Sequence, residues 1–295
     1  TGYKMTPILQ YLTDRLFLLP LALLPHHRLS RVVHRLARSE NRAFSQWLIR
    51  TITSVYQIDC SLAEEPDLST YSSFNAFFTR SLKTGVRPIA AGEEIVVSPV
   101  DGVVSQCGPI MRESIFQAKG HQFNLTTLLG GDQGRAAPFT NGIFSTIYLS
   151  PRDYHRIHMP MDGTLREMIY IPGRLYPVNN PSTRSVPGLF ARNERVAAIF
   201  ETSAGPMAMV LVGALFVGSI ETVWAGEITP PQKKFVTTWK YPKAPITLKK
   251  GDEMGRFNMG STVILLFGDE AVDLHDSFSA GMAQQMGSAI ASIPG

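Results

Sequence analysis

Cysteine is nearly absent. Cys60 and Cys107 are the only two in 295 residues, too few for a disulfide framework or a thiolate metal cluster. Such sparing use fits a reducing compartment. Long apolar runs are scarce as well: the first, Leu16 to Leu24, is interrupted by Pro20 and stopped by Pro25. That is far short of the roughly 20 residues a membrane-spanning helix needs. Charged side chains make up only 18% and apolar ones 44%, which excludes a disordered chain and leaves material for a well-buried core. There is no internal repeat, and no alternation of strands with long helices of the kind a doubly wound sheet requires. The glycine-rich segment Gly130-Gly131-Asp132-Gln133-Gly134 lacks the strand-to-helix context of a nucleotide loop and reads as a turn.

What is present is unevenly placed. The net charge is only +4. Through Cys60, however, Lys4, Arg15, Arg28, Arg31, Arg35, Arg38, Arg42 and Arg50 stand against Asp14, Glu40 and Asp59, so this segment carries the whole excess. A basic block suits anionic lipid or nucleic acid. Without interleaved aromatics or a zinc-finger or RNA-binding signature, lipid is the better reading and no nucleic-acid partner is expected. Leu29, Val32, Val33 and Leu36 recur at helical spacing, as do Phe44, Trp47, Leu48, Ile52, Val55 and Tyr56. Such helices suit either a foot lying in the membrane interface or a layer packed on the rest of the chain. Glu64-Glu65-Pro66-Asp67 reads as a connector, and helical character returns from Phe74 to Leu82. Beyond Arg87-Pro88-Ile89 the texture changes to short apolar runs punctuated by glycine and proline, which is strand chemistry. Strands are expected over 95–97, 102–106, 143–149, 164–170, 196–202, 207–215, 235–239 and 263–267, with a hairpin turn at Ala204-Gly205-Pro206. The expected fold class is α+β: a helical N-terminal region over 1–65, then a mostly antiparallel β domain over 66–295.

Three segments carry reactive groups: Ser98-Pro99-Val100-Asp101-Gly102, Ser150-Pro151-Arg152-Asp153-Tyr154-His155-Arg156-Ile157-His158, and Phe257-Asn258-Met259-Gly260-Ser261-Thr262 before the apolar run 263–267. Each has an ordinary reading, respectively a turn aspartate, packing or surface histidines, and a Gly-Ser turn. Together they supply an acid, an imidazole and a hydroxyl, the parts of an activated serine. Asp101, His155 and His158 could also be three metal ligands, but the further ligand spacing of a closed site is missing and no metal is expected.

These segments resemble the phosphatidylserine decarboxylases of bacterial type. The likeness extends in family order through Phe74-Asn75-Ala76-Phe77-Phe78-Thr79-Arg80, Phe116-Gln117-Ala118-Lys119-Gly120, Ile171-Pro172-Gly173, Leu189-Phe190-Ala191-Arg192-Asn193-Glu194-Arg195 and Gly218-Ser219-Ile220-Glu221-Thr222-Val223-Trp224-Ala225-Gly226. The resemblance implies a proenzyme that cuts itself between Gly260 and Ser261 into a long β chain and a short α chain. Asp101 would orient His158, and His158 would take the Ser261 proton. The serine would attack the Gly260 carbonyl, and elimination then hydrolysis would leave a pyruvoyl group at the new N-terminus, with no pyridoxal phosphate needed. A Schiff base between that group and the serine headgroup would allow loss of carbon dioxide, giving phosphatidylethanolamine. His155, through an imidazole pKa in the neutral range, would return the proton. Substrate contacts are expected at Tyr176, Val178 and Asn179. Lys119, Arg174 and Arg192 are candidate anion holders. The same resemblance favours a membrane-associating reading of 1–65, a peripheral location on the cytoplasmic face of the inner membrane, phosphatidylserine in an anionic bilayer as partner, and a homodimer of the cleaved pairs. Two rivals remain: a serine hydrolase, disfavoured because no Gly-x-Ser-x-Gly elbow or glycine-rich oxyanion segment is present, and a membrane-binding protein that does not cleave.

Overall fold

The computed structural model describes residues 25–215, 219–230, 234–259 and 262–295. The apolar run 16–24, Gly218 and the Gly260-Ser261 step lie outside the described residues.

Among the described residues two helices come first, α1 (His26–Ala37) and α2 (Arg42–Tyr56), followed by the short α3 (Phe74–Phe78). The Asn41 side chain accepts from the Phe44 amide to start α2, and Ser73 does the same for Ala76 in α3. Strands β1 (Ile95–Val97) and β2 (Gly102–Pro109) lead to the hairpin β3 (Ser114–Ala118) and β4 (His121–Asn124). One-turn helices α4 (Leu125–Leu128) and α5 (Gln133–Ala136) precede β5 (Ile143–Tyr148), β6 (Arg156–His158) and β7 (Gly163–Ile171). After α6 (Asn180–Ser185) and α7 (Leu189–Arg192) come β8 (Arg195–Thr202) and β9 (Gly205–Val212). Then follow β10 (Ile220–Thr222), β11 (Gly226–Glu227), β12 (Thr237–Lys240), β13 (Thr247–Leu248) and β14 (Glu253–Phe257). The chain closes with β15 (Thr262–Phe267), β16 (Asp273–Leu274), β17 (Ala283–Gln284) and β18 (Ala289–Ser292).

The principal sheet runs β12-β7-β8-β9-β15-β5-β2-β17, with β13 also paired to β7, and its pairings are antiparallel. Strand β15 lies at its centre, with every residue from Thr262 to Phe267 in register with both β5 and β9. This placement explains its unbroken apolar sequence. Val263, Leu265 and Phe267 enter one core, while Ile264 and Leu266 enter another on the opposite face, so neither face can be polar. The first core is covered by the small sheets β1-β18-β16 and β11-β10-β14-β6, the second by the β3–β4 hairpin and the helices α4 and α7.

The α+β class is as expected, and the anticipated strands are present within a few residues. The hairpin turn falls at Ser203-Ala204, closed by the pair Thr202 and Gly205, where φ of +82° suits glycine. The β3–β4 hairpin, β6, β10 and β14 have no counterpart in the expected list. All are short, and their polar and charged residues break the apolar run that betrays a buried strand.

The helical region is both docked and exposed. Helix α1 turns His26, Ser30 and Ala37 inward and leaves Val32 and Leu36 in solvent. Its inner face is tied down by His27 Nε2 to the Gly173 carbonyl (3.0 Å) and by His34 and Arg38 to Glu227 (2.7 and 3.0 Å). Helix α2 exposes Trp47, Val55 and Tyr56. A third core joins Ala37, Ile49 and Ile58 to Phe74, Phe77 and Phe78, with Met259 packed against it. No described helix is long and apolar enough to cross a membrane.

Candidate active site

Two well-anchored segments flank positions 260 and 261 in the chain. On the far side, Thr262 opens the central strand between Tyr148 and Val212. On the near side, the Phe257 amide donates to the His155 carbonyl (3.0 Å) and the Asn258 amide to the Ser219 carbonyl (2.9 Å). The buried Asn258 carboxamide donates to Ser219 Oγ (2.5 Å) and accepts from Asn75 Nδ2 (3.2 Å). Between these anchors Met259 carries φ of +148°, a region that L-residues rarely adopt and that costs on the order of 1–3 kcal/mol. The backbone ahead of the step is therefore strained and clamped.

His155 is fully buried and stacks on Phe78, ring centroids 4.0 Å apart. Its Nδ1 lies 2.8 Å from the Asp153 carbonyl, so Nδ1 carries the hydrogen and Nε2 presents a lone pair, buried and without a partner. Desolvation pushes its pKa down to about 3, against a stabilising bond to the Asp153 carbonyl and with a further lowering from Arg80. The neutral-range value expected for a proton donor is thus corrected: the ring stands as a neutral acceptor, because a charged imidazole is not solvated here.

His158 is also shifted down, chiefly by burial. Its Nδ1 is 2.7 Å from the Gly251 carbonyl and its Nε2 is 3.0 Å from the Tyr154 hydroxyl. The tautomer is set by that carbonyl rather than by Asp101, as the simple relay required. The Asp101 carboxylate is occupied elsewhere. Arg87 grips it through Nε (2.9 and 3.1 Å) and Nη2 (2.6 Å), and the Met286 amide donates to it (2.8 Å). Asp101 still acts on His158 through space, its negative charge favouring the protonated ring. Burial keeps the Tyr154 phenol protonated far above neutrality, so its hydroxyl donates to His158 Nε2.

Arg87 and Tyr154 were missed by sequence reasoning. Tyr154 stands inside the histidine segment, where its spacing to His158 was the available signal. Arg87 carried none, since its contact with Asp101 depends on the turn of the chain between them. Of the expected substrate contacts, Val178 is spent in the second core, and the Asn179 carboxamide caps α6 by accepting from the Ser182 amide (3.1 Å). Tyr176 is half-buried, with the Arg192 guanidinium 5.2 Å over its ring. Among the described residues, no cluster of His, Cys, Asp and Glu could hold a metal ion.

Comparison with known proteins decides the family. A family model described as phosphatidylserine decarboxylase matches residues 74–292, and one described as PSD matches residues 16–57. The chain belongs to the phosphatidylserine decarboxylase family. It is 53% identical to the phosphatidylserine decarboxylase proenzyme of Pseudomonas fluorescens (strain Pf0-1) over 281 residues, 94% of this chain and 98% of that one. The proenzymes of the same name from Pseudomonas aeruginosa (strain LESB58) and Pseudomonas putida (strain KT2440) are each 53% identical over 94% of this chain. They are covered over 97% and 98% of their own lengths. The matched stretches of this decarboxylase-family chain include part of its N-terminal region, through residues 16–57.

A pyruvoyl group is the cofactor the family resemblance implies. Two orphaned atoms fit such a group: Thr262 Oγ1, a buried hydroxyl donor beside position 261, and the His155 Nε2 acceptor. Both are polar atoms that burial penalises until a polar neighbour meets them.

Proposed function

We propose that this chain is a proenzyme that cleaves itself between Gly260 and Ser261 and then decarboxylates phosphatidylserine to phosphatidylethanolamine. The observation that carries the reading is the pair of segments flanking residues 260 and 261: a strained, clamped backbone at 257–259 beside the segment bearing both histidines, and the central strand that opens at Thr262. In cleavage, Ser261 Oγ attacks the Gly260 carbonyl, and the peptide shifts to an ester. His158 takes the serine proton at Nε2, directly or through the Tyr154 hydroxyl that caps it, while Asp101 stabilises the imidazolium through its field. Elimination breaks the ester, and hydrolysis releases ammonia. Residues 262–295 supply β15 to β18, so the short chain remains held by two sheets after the cut.

In the second reaction, the pyruvoyl group from Ser261 would supply a carbonyl for the substrate amine and a sink for the electrons left by carbon dioxide. His155 takes at Nε2 the proton that the substrate ammonium must shed to become a nucleophile and returns it to the former α-carbon, a cycle suited to a ring that prefers neutrality. Residues 1–65 form the membrane-associating region and 66–295 the catalytic domain. Exposed Val32, Leu36, Trp47 and Val55, flanked by arginines, support peripheral attachment to an anionic bilayer. The cytoplasmic face and a homodimer of cleaved pairs complete the reading.

Intact mass under denaturing conditions tests it. Wild type should give two chains split after Gly260, the shorter lighter than a serine-started peptide by one ammonia, and Ser261→Ala should stay whole. A single unmodified chain in active wild-type protein would sink the pyruvoyl route and favour a serine hydrolase.

A further inference from the structure

Among the described residues, Arg80 is a buried cation without a counter-ion. The residue is 5% exposed, its Nε is buried with no partner, and its one hydrogen bond is a long one from Nη1 to the Phe77 carbonyl (3.5 Å). The guanidinium otherwise rests on the Phe77 ring, 5.0 Å from its centroid. Neighbouring acids are committed elsewhere: Asp101 to Arg87, and Asp153 to the Ser150 amide and hydroxyl (2.6 and 2.7 Å). Burial pulls the Arg80 pKa down, yet an arginine stays charged at neutral pH. An isolated buried charge is costly, and a guanidinium with five donors is built to receive a planar or tetrahedral oxyanion.

Its position says which anion. Arg80 follows α3 directly, and α3 bridges the helical foot to the active site. Phe74 and Phe77 pack with Ala37 and Ile49 of the foot, and Phe78 stacks on His155. The Arg80 charge is felt at His155. A phospholipid bound with its tails at the foot and its amine at position 261 must put its phosphate between them, within about 5 Å of the amine given ordinary bond lengths. We propose that Arg80 is the subsite for the headgroup phosphate, an assignment that rests on the decarboxylase reading above. Loss of one charge-assisted contact of this kind weakens binding roughly 10- to 100-fold.

The test uses the full, self-cleaved protein and two amine probes, glycerophosphoethanolamine and ethanolamine. Each is fixed to the short chain by cyanoborohydride and followed by mass, so the readout is labelling rather than turnover. In wild type the phosphoester should label at a concentration at least tenfold lower than ethanolamine, and inorganic phosphate should compete with the phosphoester alone. Arg80→Gln should abolish that preference while leaving ethanolamine labelling within about threefold, and Arg80→Lys should restore part of it. A preference unchanged in Arg80→Gln overturns the proposal, as does a wild type without preference. Equal loss for both probes, or a variant that does not fold, together with no phosphate competition in wild type, makes Arg80 a structural brace of α3 and also overturns it. A wild type that neither cleaves nor labels defeats the decarboxylase reading itself, and the subsite with it.

Discussion

Replacing Asn258 with alanine should slow self-cleavage more than it harms the fold. Asn258 is 2% exposed, and its carboxamide joins three partners: it donates to Ser219 Oγ at 2.5 Å, reaches Glu221 Oε2 at 3.4 Å, and accepts from Asn75 of α3 at 3.2 Å. Truncation leaves the Ser219 hydroxyl, 1% exposed, without its partner. The loss is about 1–3 kcal/mol for that group, with a smaller share for Asn75, which water can reach. The consequence that separates rate from stability falls on Met259, because relaxing its strain slows cleavage while offsetting part of the stability loss. Its φ of +148° survives only because both sides are fixed, and releasing one side lets on the order of 1–3 kcal/mol of strain relax away from the scissile step. Carried fully into the barrier, that slows cleavage roughly 5- to 150-fold. Newly synthesised precursor, sampled over time on a denaturing gel, gives the rate; a urea melt of Ser261→Ala with and without Asn258→Ala gives the stability cost without interference from cleavage. An unchanged cleavage rate alongside the expected stability loss would refute the transmission of strain to the step.

Other perturbations probe separate parts of the site. Between pH 6.5 and 3 the unfolded chain binds a proton at His155 that the resting folded protein does not, since its folded pKa is about 3 against an ordinary 6.5. Stability should therefore be full above pH 6.5 and fall by up to about 5 kcal/mol as the pH drops towards 3. His155→Gln should flatten that part of the melting-temperature profile, and an unaltered slope would assign the acid lability to other groups. Asp101→Asn breaks a pair whose side chains are 9% and 12% exposed, and should cost about 3–5 kcal/mol. Leucine at both 87 and 101 should recover much of this in a denaturant titration yet leave the chain uncut, and efficient cleavage in the double variant would remove Asp101 from the mechanism. At Gly173 an added Cβ would lie 2.5 Å from the Arg192 carbonyl oxygen and the Glu194 amide nitrogen, so Gly173→Ala should lose about 3 kcal/mol in the same titration. Serine at both Trp47 and Val55, now 60% and 67% exposed, should weaken sedimentation with anionic vesicles roughly 30-fold or more while leaving the melting temperature unchanged.

Composition and pattern determined a good deal. The absence of repeats and of long helices after residue 87, with apolar runs broken by glycine and proline, was enough for an antiparallel β body, because strand periodicity is local. The apolar run at 263–267 announced a strand, while its burial on both faces follows from its place at the centre of the sheet. Motif order pointed to the family, and through that resemblance to Ser261, His155 and His158 as the candidate reacting groups. Helical spacing found α1 and α2 but left open which faces they bury, since periodicity reports amphipathicity and not the identity of the neighbour.

Tertiary structure alone decided the state of the groups. The family resemblance implied Asp101 as the partner of His158, whereas Arg87 grips the carboxylate and the Gly251 carbonyl holds the imidazole. His155 was assigned a neutral-range pKa because the free side chain has one, whereas complete burial against Phe78 removes the water that would solvate its charge. Val178 and Asn179 were candidates by position and proved to be a core residue and a helix cap. The sequence of this protein names its reactive groups because chemistry resides in side chains. Which proton each one holds, and which neighbour it answers to, depends on desolvation and on contacts between segments as much as 185 positions apart, as between Asp101 and Met286, and these exist only once the chain has closed on itself.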